Sequence, residues 1–173
     1  MSYSLCTQPS CSCTFSHSLC THPSCTFSHT LCNQPSPDLQ GSITTNAAGK
    51  SIFSAPALTE FHVEAGGEGA LCKTRIGIGG KLPADLATAA NLEVLGLYCN
   101  AFTGTLAALA SLGKLQKVDT HWNFFTGPLP SFAKSAATLV YISVANNKLT
   151  GAIPADYAEV RAATAPTIRT SSL

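Results

Sequence analysis

Charged side chains are scarce in this chain of 173 residues: only 11% are Asp, Glu, Lys or Arg, against roughly 25% in typical soluble proteins. The formal net charge is +1, so the chain lacks the basic surface on which nucleic-acid binders and polybasic membrane-surface proteins depend. No run of about 20 apolar residues is present, so no transmembrane segment is expected. Apolar residues make up 45% of the chain, which is ordinary for a globular protein.

The first 37 residues contain no charged side chain at all, and the first charged residue is Asp38. This stretch is a tandem repeat, because the sequence of residues 4–11 (SLCTQPSC) recurs at residues 18–25 as SLCTHPSC. It also holds six of the eight cysteines: Cys6, Cys11, Cys13, Cys20, Cys25 and Cys32. Two different kinds of sequence therefore meet near residues 35–37.

Three interpretations of residues 1–37 remain open. Cys20, Cys25 and His29 are close enough in sequence to share a zinc ion, but the paired C-x-x-C spacing of a strong zinc motif is missing. Six cysteines could also form disulfides in an exported chain. The composition favours a disordered low-complexity segment. The start of the chain has neither the basic residue nor the apolar stretch of a secretory signal.

The rest of the chain has a longer period. Three segments, at residues 92–106, 115–130 and 139–154, share the pattern Leu-x-x-apolar-x-apolar-x-x-Asn-x-apolar-x-Gly-x-apolar, with Thr120 at one apolar position. They begin 23 and 24 residues apart. Residues 58–63 and 78–83 supply the two halves of an earlier copy, separated by a glycine-rich insertion around residues 65–69. Each copy needs its neighbours to bury its apolar edge, as in a solenoid.

These segments resemble the plant-type leucine-rich repeat, which carries Asn-x-Leu-x-Gly-x-Ile-Pro after its strand. The chain is similar in this respect to the ectodomains of leucine-rich-repeat receptor-like kinases and to polygalacturonase-inhibiting proteins. The resemblance implies an α/β solenoid, a short right-handed superhelix of about four repeats with a parallel concave sheet. Together with the composition of the first 37 residues, it divides the chain into residues 1–37 (low complexity), 38–155 (repeats, clear from 76) and 156–173 (a tail). The sheet edge of the last repeat is expected to be open.

The resemblance also assigns structural roles within each repeat. The asparagine after the strand is expected to hydrogen-bond free backbone groups of the turn, and the glycine four residues later permits the chain to return. Helical turns are expected near residues 85–90 and 107–112. The positions concerned are Asn100, Asn123, Asn147, Gly104, Gly127 and Gly151.

The concave face of such a sheet usually receives partners, so the outward strand positions are the candidate binding residues. Tyr98, Trp122 and Tyr141 are expected to form an aromatic band across neighbouring strands, a composition typical of interaction hot spots. Ordinary surface residues would explain the same pattern. The full predicted set is Tyr98, Trp122, His121, Asp119, Lys117, Tyr141, Ser143, His62 and Glu64.

Enzymatic interpretations find little support. Asp119 and His121 have no serine or cysteine nucleophile in a strained turn beside them, and the glycines at 77–80 lack the Lys-Ser/Thr of a phosphate loop. His62 between Glu60 and Glu64 could form a metal patch, but a solvated strand face is favoured. Cys72 and Cys99 could pair, although a buried free thiol is the more common outcome. No catalytic residue, metal or cofactor is expected.

The sequence thus predicts a module that binds a protein or peptide on its concave face. Two alternatives stay open: a structural or adhesive surface protein crosslinked by the cysteine-rich segment, and a fragment of a longer leucine-rich-repeat protein. The family suggests an extracellular location, which the lack of a secretory signal contradicts, so localisation and oligomeric state are left unassigned.

Overall fold

A computed structural model describes residues 25–31, 43, 51–65, 72, 77–159 and 167–169. Its main element is a six-stranded sheet in the order β1-β2-β4-β6-β8-β10, and every neighbouring pair is parallel. The strands of this sheet are β1 (Cys25–Leu31), β2 (Leu58–Ala65), β4 (Val94–Gly96), β6 (Lys117–Asp119), β8 (Tyr141–Ser143) and β10 (Thr167–Arg169). Strands that follow one another along the chain thus lie side by side, as a solenoid requires.

Shorter parallel pairs lie beyond the ends of the main strands. The strand β3 (Gly79–Lys81) pairs with β5 (Ala101–Thr103), and β7 (Thr126–Gly127) pairs with β9 (Lys148–Leu149). Each of these strands includes the glycine of its repeat or ends one or two residues before it, and Gly104 and Gly127 have φ values of 81° and 79°. A side chain is strained in that left-handed region, so glycine is the residue that lets the chain turn there.

In the described part of the chain, four 3₁₀ turns return it towards the next strand: Ile52–Ser54, Ala84–Thr88, Ala107–Ser111 and Ala133–Ser135. The helical turns expected near residues 85–90 and 107–112 are therefore present, in the tighter 3₁₀ form that suits short segments. Among the described residues, none of the helical segments has the length and apolar character needed to cross a bilayer.

Two sequence expectations about the sheet edges are wrong. Residues 25–31, placed in a disordered segment, form β1 and pair with β2. The last repeat was expected to leave an open edge, yet β10 pairs there with β8. An uncovered strand edge presents unpaired N–H and C=O groups to which an extended segment can add. The rest of the segment 1–37, the side chains proposed for its zinc site and residues 66–70 of the insertion lie outside the described residues.

The core is a column of apolar side chains stacked from repeat to repeat. Leu95 and Leu97 are fully buried, as their alternation on the strand predicts. Thr120, at the position equivalent to Leu97, is buried too, and its hydroxyl donates to the Ser143 carbonyl at 3.4 Å. The phenylalanines at positions 53, 61, 102, 125 and 132 are among the largest fully buried side chains.

An asparagine ladder, formed by Asn100, Asn123 and Asn147, ties the repeats together. In each case the amide oxygen accepts a backbone N–H of the preceding repeat at 2.9–3.0 Å, from Ile78, Phe102 and Phe125 respectively. The amide nitrogen donates to carbonyls of its own turn and of the preceding repeat. The hydrogen bonds that the resemblance implies are thus present, and they satisfy buried backbone groups that the strands leave over.

Two aspartates make similar links between repeats, on the side of the coil away from the main sheet. The carboxylate of Asp85 accepts from the Ser51 backbone N–H at 2.6 Å and from the Ser51 hydroxyl at 2.8 Å. Asp156 accepts from the Phe132 N–H at 2.6 Å. Both aspartates stand in a Pro-Ala-Asp sequence, so each ties the start of a convex turn to the preceding repeat.

Tyr157 closes the carboxyl-terminal end of the described core. It is buried, and its ring lies 5.8 Å from that of Phe132. Its hydroxyl has no hydrogen-bond partner among the described residues. Burial raises the pKa of this phenol well above its ordinary value, and the neighbouring Asp156 carboxylate adds to the effect.

Candidate functional site

The strand register arranges the candidate residues in rows across the main sheet. Glu60, Val94, Lys117 and Tyr141 occupy one row, and His62, Gly96, Asp119 and Ser143 occupy the next. Two residues further along each strand, Tyr98 and His121 are neighbours, since the backbone N–H of Cys99 donates to the His121 carbonyl at 3.0 Å. The predicted residues on β4, β6 and β8 therefore belong to one continuous surface.

The centre of this surface is a stacked pair of rings. The rings of Tyr98 and His121 are nearly parallel, with centroids 5.0 Å apart and planes inclined by 7°. The Nδ1 atom of His121 contacts the Oδ1 atom of Asp119, whose side chain is only 8% exposed. The imidazole is thus held on one face by an aromatic ring and at its edge by a carboxylate, which leaves little freedom for it to reorient.

Lys117 and Tyr141 form a second contact beside this pair. The Lys117 ammonium lies 5.3 Å from the centroid of the Tyr141 ring, a cation–π geometry. Tyr141 lies in the row of Lys117, whereas Tyr98 lies in the row of His121. The structure therefore divides the aromatic residues of the predicted band into separate contacts on the sheet.

The third aromatic residue, Trp122, lies beyond the regular strand. It has φ of 54°, and the equivalent residues Cys99 and Asn146 have φ of 61° and 57°. Each directly precedes an asparagine of the ladder, at the point where the chain leaves the sheet. The simple alternation of inward and outward side chains does not hold through such a left-handed residue, and Cys99 is buried even though it directly follows the outward residue Tyr98.

Two other residues of the predicted surface are much less accessible than expected. Asp119 is 6% exposed and Ser143 only 2% exposed, although both lie at outward strand positions. Asp119 is occupied by its contacts with the His121 ring and the His121 backbone N–H. The accessible part of the surface consists of the half-buried side chains of His62, Tyr98, His121, Trp122 and Tyr141, with exposed Lys117 beside them.

Gly96 gives His62 its place on this surface. A Cβ atom built at Gly96 would lie 2.6 Å from Nδ1 of His62, so the imidazole rests directly over the glycine of the neighbouring strand. Its Nε2 atom is 3.7 Å from a carboxylate oxygen of Glu60. The side chain of Glu64, the remaining predicted residue, lies outside the described side chains.

Gly96→Ala is expected to push the His62 ring off the β4 strand while leaving the fold intact. The added methyl group meets a side chain that can rotate, so the free energy of unfolding should fall by no more than about 1 kcal/mol, within the typical range for single substitutions. The displacement can be followed by the NMR chemical shifts of the His62 ring, with those of His121 as the internal reference. Unchanged His62 shifts would contradict the packing described here.

Cys72 and Cys99 form a disulfide, with a Cα–Cα distance of 4.6 Å. Both residues are buried, at 3% and 1% exposure. The expectation of a buried free thiol is therefore wrong. The sequence does not reveal this pairing, because the two cysteines are 27 positions apart and only the fold brings them together.

Comparison with known proteins supports the same architecture. No family model matches the chain, and no curated protein sequence matches it significantly. Among solved structures, the leucine-rich-repeat ectodomain of the receptor kinase SOBIR1 from Arabidopsis thaliana aligns with a TM-score of 0.55 and 26% identity, over 69% of this chain and 60% of that one. The chain is a plant-type leucine-rich-repeat protein.

Two further ectodomain structures share the fold. The Arabidopsis thaliana receptor kinase GASSHO1/SCHENGEN3, in complex with CASPARIAN STRIP INTEGRITY FACTOR 2, has a TM-score of 0.53 and 20% identity over 86% of this leucine-rich-repeat chain. A TDR receptor has a TM-score of 0.50 and 19% identity over 83%. The chain spans only 17% and 29% of these two structures, so its repeats correspond to a part of their solenoids.

Proposed function

We propose that this leucine-rich-repeat chain binds a protein or peptide through the concave surface of its main sheet, centred on Tyr98 and His121. The observation that carries the proposal is the stacked Tyr98–His121 pair, flanked by the cation–π contact of Lys117 with Tyr141. Aromatic side chains held in fixed positions offer a large contact area at little conformational cost, as binding hot spots do.

The surrounding chemistry suits a polypeptide ligand. The surface combines aromatic faces, two imidazoles and an ammonium group. The aromatic faces can contact apolar side chains of a partner, the imidazoles can form hydrogen bonds with it, and the ammonium group can pair with its carboxylates. One structural neighbour, GASSHO1/SCHENGEN3, is itself in complex with a partner factor. That precedent, together with the low charge of this chain, favours a protein or peptide over a nucleic acid.

The proposal can be tested by panning a random peptide library against the immobilised full-length chain. Peptides enriched on the wild type should lose affinity by about tenfold or more on a Tyr98→Ala, His121→Ala double variant, the effect expected for a hot spot. Isothermal titration of the selected peptides provides the measurement.

Lys114→Ala is the matched control because Lys114 is exposed and lies on the turn before β6, where its ammonium donates to Asn91 at 2.7 Å. It should leave the affinity unchanged. Selected peptides that bind the double variant as tightly as the wild type would contradict the proposed surface. A library that yields no enriched sequence would count against peptide recognition altogether.

A further inference from the structure

One group of potential metal ligands stands out among the described residues. The sulfur atoms of Cys72 and Cys99 and a ring nitrogen of His121 lie within 4.8 Å of one another. Cys72 follows the insertion, Cys99 lies in the turn after β4, and His121 lies two residues after the end of β6. Three separate parts of the chain thus bring two soft sulfur donors and one imidazole to a single point.

The surroundings of His121 match those of a metal-binding histidine. Its Nδ1 atom faces the carboxylate of Asp119, and a ligating histidine usually has its second nitrogen bonded to such a group. Asp119 therefore favours the tautomer that carries the proton on Nδ1 and leaves the lone pair on Nε2. The Tyr98 ring, stacked at 5.0 Å, restricts rotation of the imidazole. This orientation goes beyond what a partner-binding surface requires.

We infer that Cys72, Cys99 and His121 form a redox-gated zinc site, with Asp119 as a positioning residue. In the oxidised chain the two sulfurs are joined in a disulfide and are not available as thiolate ligands. A dithiol reductant transfers two electrons and two protons to this disulfide, yielding two cysteine thiols and the oxidised form of the reductant. Binding of Zn²⁺ then releases the two thiol protons, since the thiolate is the metal ligand.

Zinc fits this ligand set better than the hard cations. Thiolate and imidazole donors are typical of zinc sites, whereas Mg²⁺ and Ca²⁺ prefer oxygen ligands. The three protein ligands leave a fourth tetrahedral position, which a water molecule can occupy. The site lies next to the Tyr98–His121 pair, so occupancy would fix the imidazole at the centre of the proposed binding surface.

The test uses the full-length chain with its six amino-terminal cysteines replaced by serine, so that Cys72 and Cys99 are the only thiols. The chain is reduced with a phosphine, which reacts with the disulfide and one water molecule to give phosphine oxide and two thiols. The reduced chain is then titrated with Co²⁺ and Zn²⁺. The reduced chain should bind one ion with sulfur-to-cobalt charge-transfer absorption, and Zn²⁺ should displace the cobalt. The unreduced chain should show neither signal.

Single substitutions then assign the ligands. Cys72→Ser and Cys99→Ser should each reduce the charge-transfer absorption and the affinity, and His121→Ala should weaken binding more than Asp119→Asn. The latter is expected to cost about 10–100-fold in affinity, the usual effect of losing a carboxylate that orients a ligating histidine. His62→Ala is the matched control, because His62 is an imidazole on β2, which β4 separates from β6, and its loss should leave metal binding unchanged.

Circular dichroism of each reduced sample shows whether the fold persists. A folded, reduced chain that binds no cobalt would overturn the inference, as would binding that is unaffected by His121→Ala. Loss of the fold on reduction would overturn it as well, because the three ligands would then no longer be held together. Failure of peptide selection on the concave surface would leave these outcomes unchanged, since they report metal binding alone.

Discussion

Asn123→Ala is expected to lower the free energy of unfolding by about 3 kcal/mol, one of the two largest effects we expect from a single substitution in this chain. Asn123 is fully buried, and its amide oxygen is the acceptor for the Phe102 backbone N–H at 2.9 Å. Leaving a buried donor without a partner costs about 1–3 kcal/mol. The variant also loses the bond to the Leu97 carbonyl at 2.7 Å and leaves a small cavity. Urea denaturation followed by circular dichroism measures the change.

Two other asparagines provide graded controls for this experiment. Asn147 makes equivalent bonds but is only half-buried, so water can replace part of its amide and the loss should be smaller. Asn91 donates one exposed hydrogen bond to the Pro56 carbonyl at 2.8 Å, and Asn91→Ala should cost no more than about 1 kcal/mol. Equal losses at Asn91 and Asn123 would contradict the role assigned to the asparagine ladder.

The asparagine ladder is also the part of the fold that the sequence predicts best. Asn100, Asn123 and Asn147 recur at a fixed distance from buried strand residues, and a repeated position in a solenoid meets the same neighbours each time. The pattern therefore predicts the strands, their parallel pairing and the helical turns together. What it omits are links that recur in only some of the repeats, such as those of Asp85 and Asp156 to the preceding repeat.

The candidate site could be predicted only in part from the sequence. Outward strand positions follow from alternation, and in the structure Lys117 lies beside Tyr141 and Tyr98 beside His121. Alternation fails at Cys99 and Trp122, where positive φ redirects the chain. The Cys72–Cys99 disulfide depends on the path of the insertion, and the strands at both sheet edges depend on backbone pairing, for which side-chain periodicity is a poor guide.

Phe102→Ala is expected to lower the free energy of unfolding by about 3–5 kcal/mol, the usual cost of deleting a buried phenylalanine ring. Phe102 is fully buried, and its ring is stacked on Phe125 of the next repeat, with centroids 6.1 Å apart and planes inclined by 6°. The substitution therefore removes contacts in two repeats at once. Because neighbouring repeats depend on each other for burial, we expect a single cooperative unfolding transition at a lower urea concentration, measured by tryptophan fluorescence.

Two further substitutions separate the packing of this ring from a general sensitivity to aromatic loss. Phe102→Leu introduces the residue that Leu149 supplies at the same position two repeats later, and it should cost clearly less than Phe102→Ala because most of the buried volume is kept. Phe124→Ala removes a half-buried ring directly before Phe125 in the sequence, and the Lys148 ammonium lies 5.1 Å from the centroid of this ring. Its cost should stay near 1 kcal/mol. If Phe124→Ala were as damaging as Phe102→Ala, the column of stacked rings between repeats could not be what holds this part of the solenoid together.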